Sequence, residues 1–192
     1  MANQTVLRTH AANLTPVADR NPEQVNVDDA IRLREIRALV EANNRSSLST
    51  ELITCQVYME SRFDKNAHAQ GSSARGLMQL LKNAVRELYR LENLRKPRSE
   101  RRAEEALYIE ADAFHDSPEF VDEATNIQAG TRYLQALMER ATRKKKPDPI
   151  DEAYKDYRGV RNGIYYCKVN EAAAKLKENP DSMQILRDMV KP

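Results

Sequence analysis

The stretch 57–81, "VYMESRFDKNAHAQGSSARGLMQLL", decides how this chain is read. An apolar run ends on a single carboxylate, Glu60, and a loop of small polar residues then carries the chain to Gly76, where an amphipathic pattern resumes. A carboxyl at the end of a mostly apolar helix is partly withdrawn from water, which disfavours its charged form and raises its pKa. A group tuned in this way keeps its proton near neutrality and can act as a general acid. A solvated glutamate closing a surface helix is the plainer alternative, and only the neighbourhood separates the two.

Upstream, Ile53, Cys55, Val57 and Met59 make the segment from Leu52 to Ser61 apolar on nearly all sides, as in a helix held in the middle of a core. The sequence "RSSLSTEL" supplies its cap. An earlier helix is predicted from Asp28 or Asp29 through Ile31, Ile36, Leu39 and Val40. Residues 1–26 are polar and unpatterned and read as a flexible arm ahead of one domain, 27–192.

Downstream, Leu77, Leu80, Leu81, Ala84, Leu88 and Leu91 keep helical spacing and predict an amphipathic helix restarted at Gly76. Pro97 breaks it, and a charged helix is expected over "RRAEEALYIEADAF". In "DSPEF", Ser117 reads as a cap and Pro118 as the first position of a helix reaching about Thr142, with Phe120, Ala124, Ile127, Leu134, Leu137 and Met138 inward. Shorter helices follow over "IDEAYKDYR", "IYYCKVNEAAAKLKEN" and "DSMQILRDMV". No sustained apolar/polar alternation marks a strand. The fold class is therefore all-α, a single domain of about seven or eight helices.

At 192 residues and 41% hydrophobic content, the chain can build one core without staples. Its net charge of +2 gives little attraction for a polyanion. The basic runs "RKPRSERR" and "RKKKP" carry no interleaved aromatics for base stacking, so no nucleic-acid partner is predicted. The apolar runs fall far short of the roughly 20 residues that span a bilayer, and no membrane insertion is predicted. Without a CxxC pair or a histidine cluster, neither a metal site nor a cofactor is called for. Cys55 and Cys167 read equally well as one disulfide or as free thiols, and His68 and His115, with no nucleophile beside them, as polar surface.

Three ordered motifs resemble the superfamily of lytic transglycosylases and goose-type lysozymes, enzymes that cleave peptidoglycan. Glu60, Ser61, Phe63 and Ala67 match its E-S-x-F-x-x-x-A pattern, and Gly76, Leu77, Met78 and Gln79 match its G-L-M-Q. Asn126, Ile127, Gly130, Tyr133 and Leu134 match its N-I-x-x-G-x-x-Y-L helix. The usual A-Y-N-A-G is altered to "AYKDYRG", in which Ala153 and Tyr154 match while Lys155 and Asp156 depart, and Tyr157 with Gly159 offers a second register. The stretch between "GLMQ" and "NIQAG" is longer than usual, and its charged residues are expected to wall or cap the groove.

The resemblance implies a lysozyme-like fold and cleavage of the β-1,4 bond between N-acetylmuramic acid and N-acetylglucosamine, with Glu60 as acid and then base. It implies substrate contacts from Ser61, Gly76, Met78, Gln79, Asn126, Tyr133, Tyr154 and Tyr157, with one of the last two tyrosines reaching Glu60. The transglycosylase branch uses the sugar's own 6-hydroxyl and needs no second carboxylate. A hydrolytic branch of the inverting kind needs one roughly 6.5–9.5 Å from the acid, for which Asp64, Asp112 and Asp156 are candidates. A non-catalytic glycan- or protein-binding module on the same fold is the alternative. The start of the sequence shows no secretory signal, so the expectation is export by a specialised route and action as an antibacterial effector in a target cell's periplasm, with a cognate immunity protein as partner.

Overall fold

The structure, a computed structural model, describes residues 22–192, with side chains from residue 30 onward. Of the expected arm, 1–26, residues 1–21 lie outside the described residues, and 22–26 belong to α1, which starts ahead of the Asp28 or Asp29 expected from the sequence. Eight α-helices make up the described chain: α1 (Pro22–Asn43), α2 (Thr50–Ser61), α3 (Lys82–Arg95), α4 (Glu104–Asp116), α5 (Glu123–Arg143), α6 (Pro149–Arg158), α7 (Ile164–Glu178) and α8 (Met183–Met189). Two short 3-10 turns, Arg98–Glu100 and Pro118–Val121, join them, and the described residues contain isolated bridges but no sheet. The all-α expectation holds. None of the described helices is long and apolar enough to cross a membrane.

α2 is the axis of the domain. Ser49 caps it by accepting a hydrogen bond from the Leu52 amide at 3.2 Å. Its residues from Leu52 to Tyr58 are all buried, because α1, α7 and α8 surround it. Leu33, Ile36 and Val40 of α1, Val169, Ala172 and Leu176 of α7 and Leu186 of α8 complete this main core. A second, smaller cluster of Leu80, Ala84, Val85, Leu88, Ala111, Phe120 and Ala129 holds α3 and α4 to α5, and Tyr133 and Tyr157 pack against both clusters.

Several sequence expectations are corrected. The helix read from Gly76 begins only at Lys82, because Gly76 and Gln79 both take positive φ (77° and 46°) and fold 76–81 into a tight turn. Arg75 and Leu80 close that turn with paired backbone hydrogen bonds of 3.3 and 3.2 Å. Leu77 and Leu80 are buried as expected, but Leu81, outside the helix, is exposed. Pro118 opens a 3-10 turn rather than the long helix, and α5 is instead capped by Asp122, whose side chain accepts from the Thr125 amide at 3.0 Å. His115 is not surface: it is buried against Phe120 and bonds the Leu80 carbonyl through Nε2 at 3.2 Å. Outside these corrections, the charged segment between the motifs forms the Arg98–Glu100 turn and α4, which packs on α3 and on the 118–121 turn.

Candidate active site

Glu60 stands in the last turn of α2, where the helix meets an abrupt reversal. Arg62 and Phe63 both adopt left-handed φ, 56° and 66°, a conformation non-glycine residues rarely take and one that tends to gather at functional sites. The reversal is held from several sides. Arg62 bonds the Tyr58 and Met59 carbonyls at 2.6 and 2.9 Å, so it caps the helix with a cation. Phe63 is buried edge-on against Tyr58 with ring centroids 5.0 Å apart, and its carbonyl accepts from Arg32 at 3.1 Å.

The small-residue loop then folds back on itself. The Gly76 amide bonds the Ala67 carbonyl at 3.2 Å, and the Gln79 side-chain nitrogen bonds the same carbonyl at 2.8 Å and that of Gly76 at 2.9 Å. Beneath this turn, Asn126 of α5 is wholly buried and acts as a clamp. Its oxygen accepts from the Met78 amide at 2.8 Å, while its nitrogen donates to the carbonyls of Arg75 at 3.3 Å and Phe120 at 3.2 Å. Gly76 is required by this contact: a Cβ there would lie 2.3 Å from the Asn126 side-chain nitrogen. Gly130 makes room in the same way for Met78, whose sulfur would lie 2.4 Å from an added Cβ.

The carboxyl of Glu60 has a side chain only 5% exposed. Tyr165 of α7 donates to its Oε1 at 2.6 Å, and Arg158, the last residue of α6, donates to its Oε2 at 2.9 Å. The Arg158 guanidinium lies over the Tyr165 ring, 4.8 Å from its centroid, and its side chain remains 41% exposed. Burial raises the Glu60 pKa above its ordinary 4.5, and that effect exceeds the opposing pull of the Arg158 charge, the Tyr165 and Arg158 hydrogen bonds and the Arg62 charge. The site therefore holds a carboxyl whose burial favours the protonated form and whose orientation is fixed by a cation and a phenol.

The other expected site residues divide by depth. Met78, Asn126 and Tyr154 are buried, and so is Ser61, whose hydroxyl donates to the Val57 carbonyl at 3.0 Å. Tyr133, Tyr157 and Gln79 are half-buried. Neither tyrosine proposed to reach Glu60 does so: Tyr154 donates to Gln56 at 3.1 Å and Tyr157 to the Met78 carbonyl at 2.7 Å. The phenol at the carboxyl belongs to Tyr165, because α7 packs directly along α2 while Tyr154 is stacked on Tyr166 inside the core. Asp64 accepts from the Asn66 amide in its own loop at 2.8 Å. Asp112 is bound by Arg86 at 2.7 and 2.5 Å, and Asp156 by Arg140 at 2.9 Å and Arg161 at 2.6 Å.

Sequence reasoning missed Arg158 and Tyr165. Arg158 stood inside the quoted "AYKDYRG", and Tyr165 follows a glycine turn in "GIYYC", but nothing in either string shows which side chain turns toward Glu60. Cys55, buried in α2, and Cys167, exposed on α7, are both free thiols. Burial pushes the Cys55 thiol up to about 12, so it is inert.

A model of the transglycosylase SLT domain family matches residues 37–148, which span α2, the 64–81 loop and α5. No curated protein and no solved structure matches the chain.

Proposed function

The chain belongs to the transglycosylase SLT domain family, and from that premise we propose that it cleaves glycan strands of peptidoglycan at the bond between N-acetylmuramic acid and N-acetylglucosamine, with Glu60 as acid and base. The family supports peptidoglycan cleavage of the lytic transglycosylase type in general. The observation that carries the finer reading is the buried Glu60 carboxyl, raised in pKa and oriented by Tyr165 and Arg158. Protonated Glu60 delivers its proton to the bridging oxygen as the bond to the anomeric carbon breaks. The carboxylate so formed then takes the proton of the sugar's 6-hydroxyl, whose oxygen closes onto the anomeric carbon. General acid–base assistance of this kind is worth about 10²–10⁴-fold in rate.

The engagement of Asp64, Asp112 and Asp156 with other partners favours this internal attack over attack by a water held on a second carboxylate. Gln79 keeps its side-chain oxygen without a hydrogen bond among the described residues and suits an acetamido N–H. In this reading Gly76, Met78 and Asn126 hold the turn that presents Gln79, and Ser61, Tyr133, Tyr154 and Tyr157 serve the site from the packed side chains around it. Peptidoglycan lies outside the cytoplasm, so the reading includes residues 27–192 as a catalytic domain that is exported and acts in the periplasm of a target bacterium, with an immunity protein as antagonist.

Mass analysis of the products from purified peptidoglycan tests the proposal. Products ending in 1,6-anhydro rings are expected. Reducing ends carrying an added water would replace the transglycosylase step with hydrolysis, and the absence of soluble products would overturn the reading. In that event the Arg158–Glu60 ion pair favours a binding module on the same fold, detected as retention on peptidoglycan without cleavage.

A further inference from the structure

The contact between Arg158 and Glu60 poses a chemical difficulty. A guanidinium 2.9 Å from Oε2 favours the ionised carboxyl, whereas the acid step needs the proton in place. Arg158 meets Glu60 through Nη1 alone, its face rests on Tyr165, and its other N–H groups make no hydrogen bond among the described residues. A planar fork with an unoccupied donor edge, 41% exposed at the mouth of the site, is suited to take a second carboxylate in the two-point manner. Arg158 ends α6 immediately before the exposed segment 159–162.

We propose that Arg158 is a substrate-recognition residue: a carboxylate carried by the glycan strand captures its guanidinium and draws it off Glu60. The inference rests on the glycosidase reading above and deepens it. Once Arg158 is neutralised by the strand, the largest influence opposing burial at Glu60 is gone, and the carboxyl holds a proton from water more firmly. The groups facing Glu60 then remain Tyr165 from α7, Arg62 from the end of α2, and Tyr154 and Tyr157 from α6, of which only Arg62 is cationic. The acid form is thereby strengthened by the presence of an anionic strand, and neutral polymers of N-acetylglucosamine leave the carboxyl paired with Arg158. Two carboxylates qualify chemically, the lactyl group of a peptide-free muramic residue and those of the attached peptide.

The test compares peptide-free strands, the same strands with every carboxylate converted to a methylamide, and peptide-bearing strands. Cleavage is followed with the native protein, Arg158→Gln and Arg158→Lys, and binding of each strand with Glu60→Gln. The native protein is expected to favour carboxylate strands over amidated ones about tenfold in kcat/KM. Arg158→Gln brings that ratio to about one, and Arg158→Lys restores part of it. On amidated strands the alkaline limb of the rate profile lies at lower pH for the native protein than for Arg158→Gln. A peptide-free strand preferred over a peptide-bearing one assigns the lactyl group, and the reverse assigns the peptide. Cleavage with equal ratios in native protein and Arg158→Gln overturns the inference and leaves the glycosidase reading intact. If nothing is cleaved, that reading fails instead, and the inference then stands or falls on whether Glu60→Gln still binds carboxylate strands more tightly than amidated ones.

Discussion

Two regions carry the family's motifs, and they are built in opposite ways. Around Asn126 every amide hydrogen-bonding group finds a neutral partner, the packing leaves no room for a Cβ at Gly76 or Gly130, and the residues are buried. Around Glu60 a titratable carboxyl sits in low dielectric, the backbone is left-handed at two successive residues, and the cation beside it is half in solvent. Most motif residues thus serve to hold a turn, and the chemistry falls on the few side chains at the end of α2. Buried satisfied networks stabilise, whereas a site that must change protonation state gives up stability.

The sharpest way to break this contrast is to disturb the first region. Gly76→Val combines a clash with the Asn126 amide and a backbone φ of 77°, and is expected to cost about 4 kcal/mol or more and prevent stable folding, read by thermal melting. Asn126→Ala leaves three backbone groups without their partner and is expected to cost about 3 kcal/mol, a fall of roughly 6–12 °C in Tm. In the second region, Arg158→Gln is expected to leave Tm nearly unchanged and to move the alkaline limb of kcat/KM to higher pH, because the largest influence lowering the Glu60 pKa is removed. Tyr165→Phe acts in the same direction but less, since its hydrogen bond ranks below the Arg158 charge.

The smallest effect is a linkage. Because the folded pKa of Glu60 is raised, its stability contribution is complete below the ordinary value of 4.5 and is lost as pH rises through the folded value. The difference in Tm between Glu60→Gln and the native protein should therefore move in favour of the variant from pH 4 upward. A flat difference would mean that Arg158 compensates the buried charge in full.

The helices were legible from spacing wherever an apolar face is continuous, as in α2 and in the inward Ile127, Leu134, Leu137 and Met138 of α5. Their starts were less so. Leu77 and Leu80 keep helical spacing yet sit in a turn, because two positive-φ residues and a clamp 48 positions away override local pattern. Pro118 likewise opens a 3-10 turn, with Asp122 capping the helix proper. Within the site, the end of α2 pointed to Glu60 through its apolar approach. Its partners could not be read, since which of Tyr154, Tyr157 and Tyr165 reaches the carboxyl depends on how α6 and α7 pack on α2, which no short-range pattern encodes.

Whether Glu60 does the chemistry is decided by the rate of soluble fragment release from peptidoglycan by native protein and Glu60→Gln, with melting curves recorded on the same samples. A loss of at least about 10²-fold in rate with an undiminished Tm at pH 7 is expected for Glu60→Gln. Equal release by the two proteins, both folded, would contradict it and remove Glu60 from the chemistry.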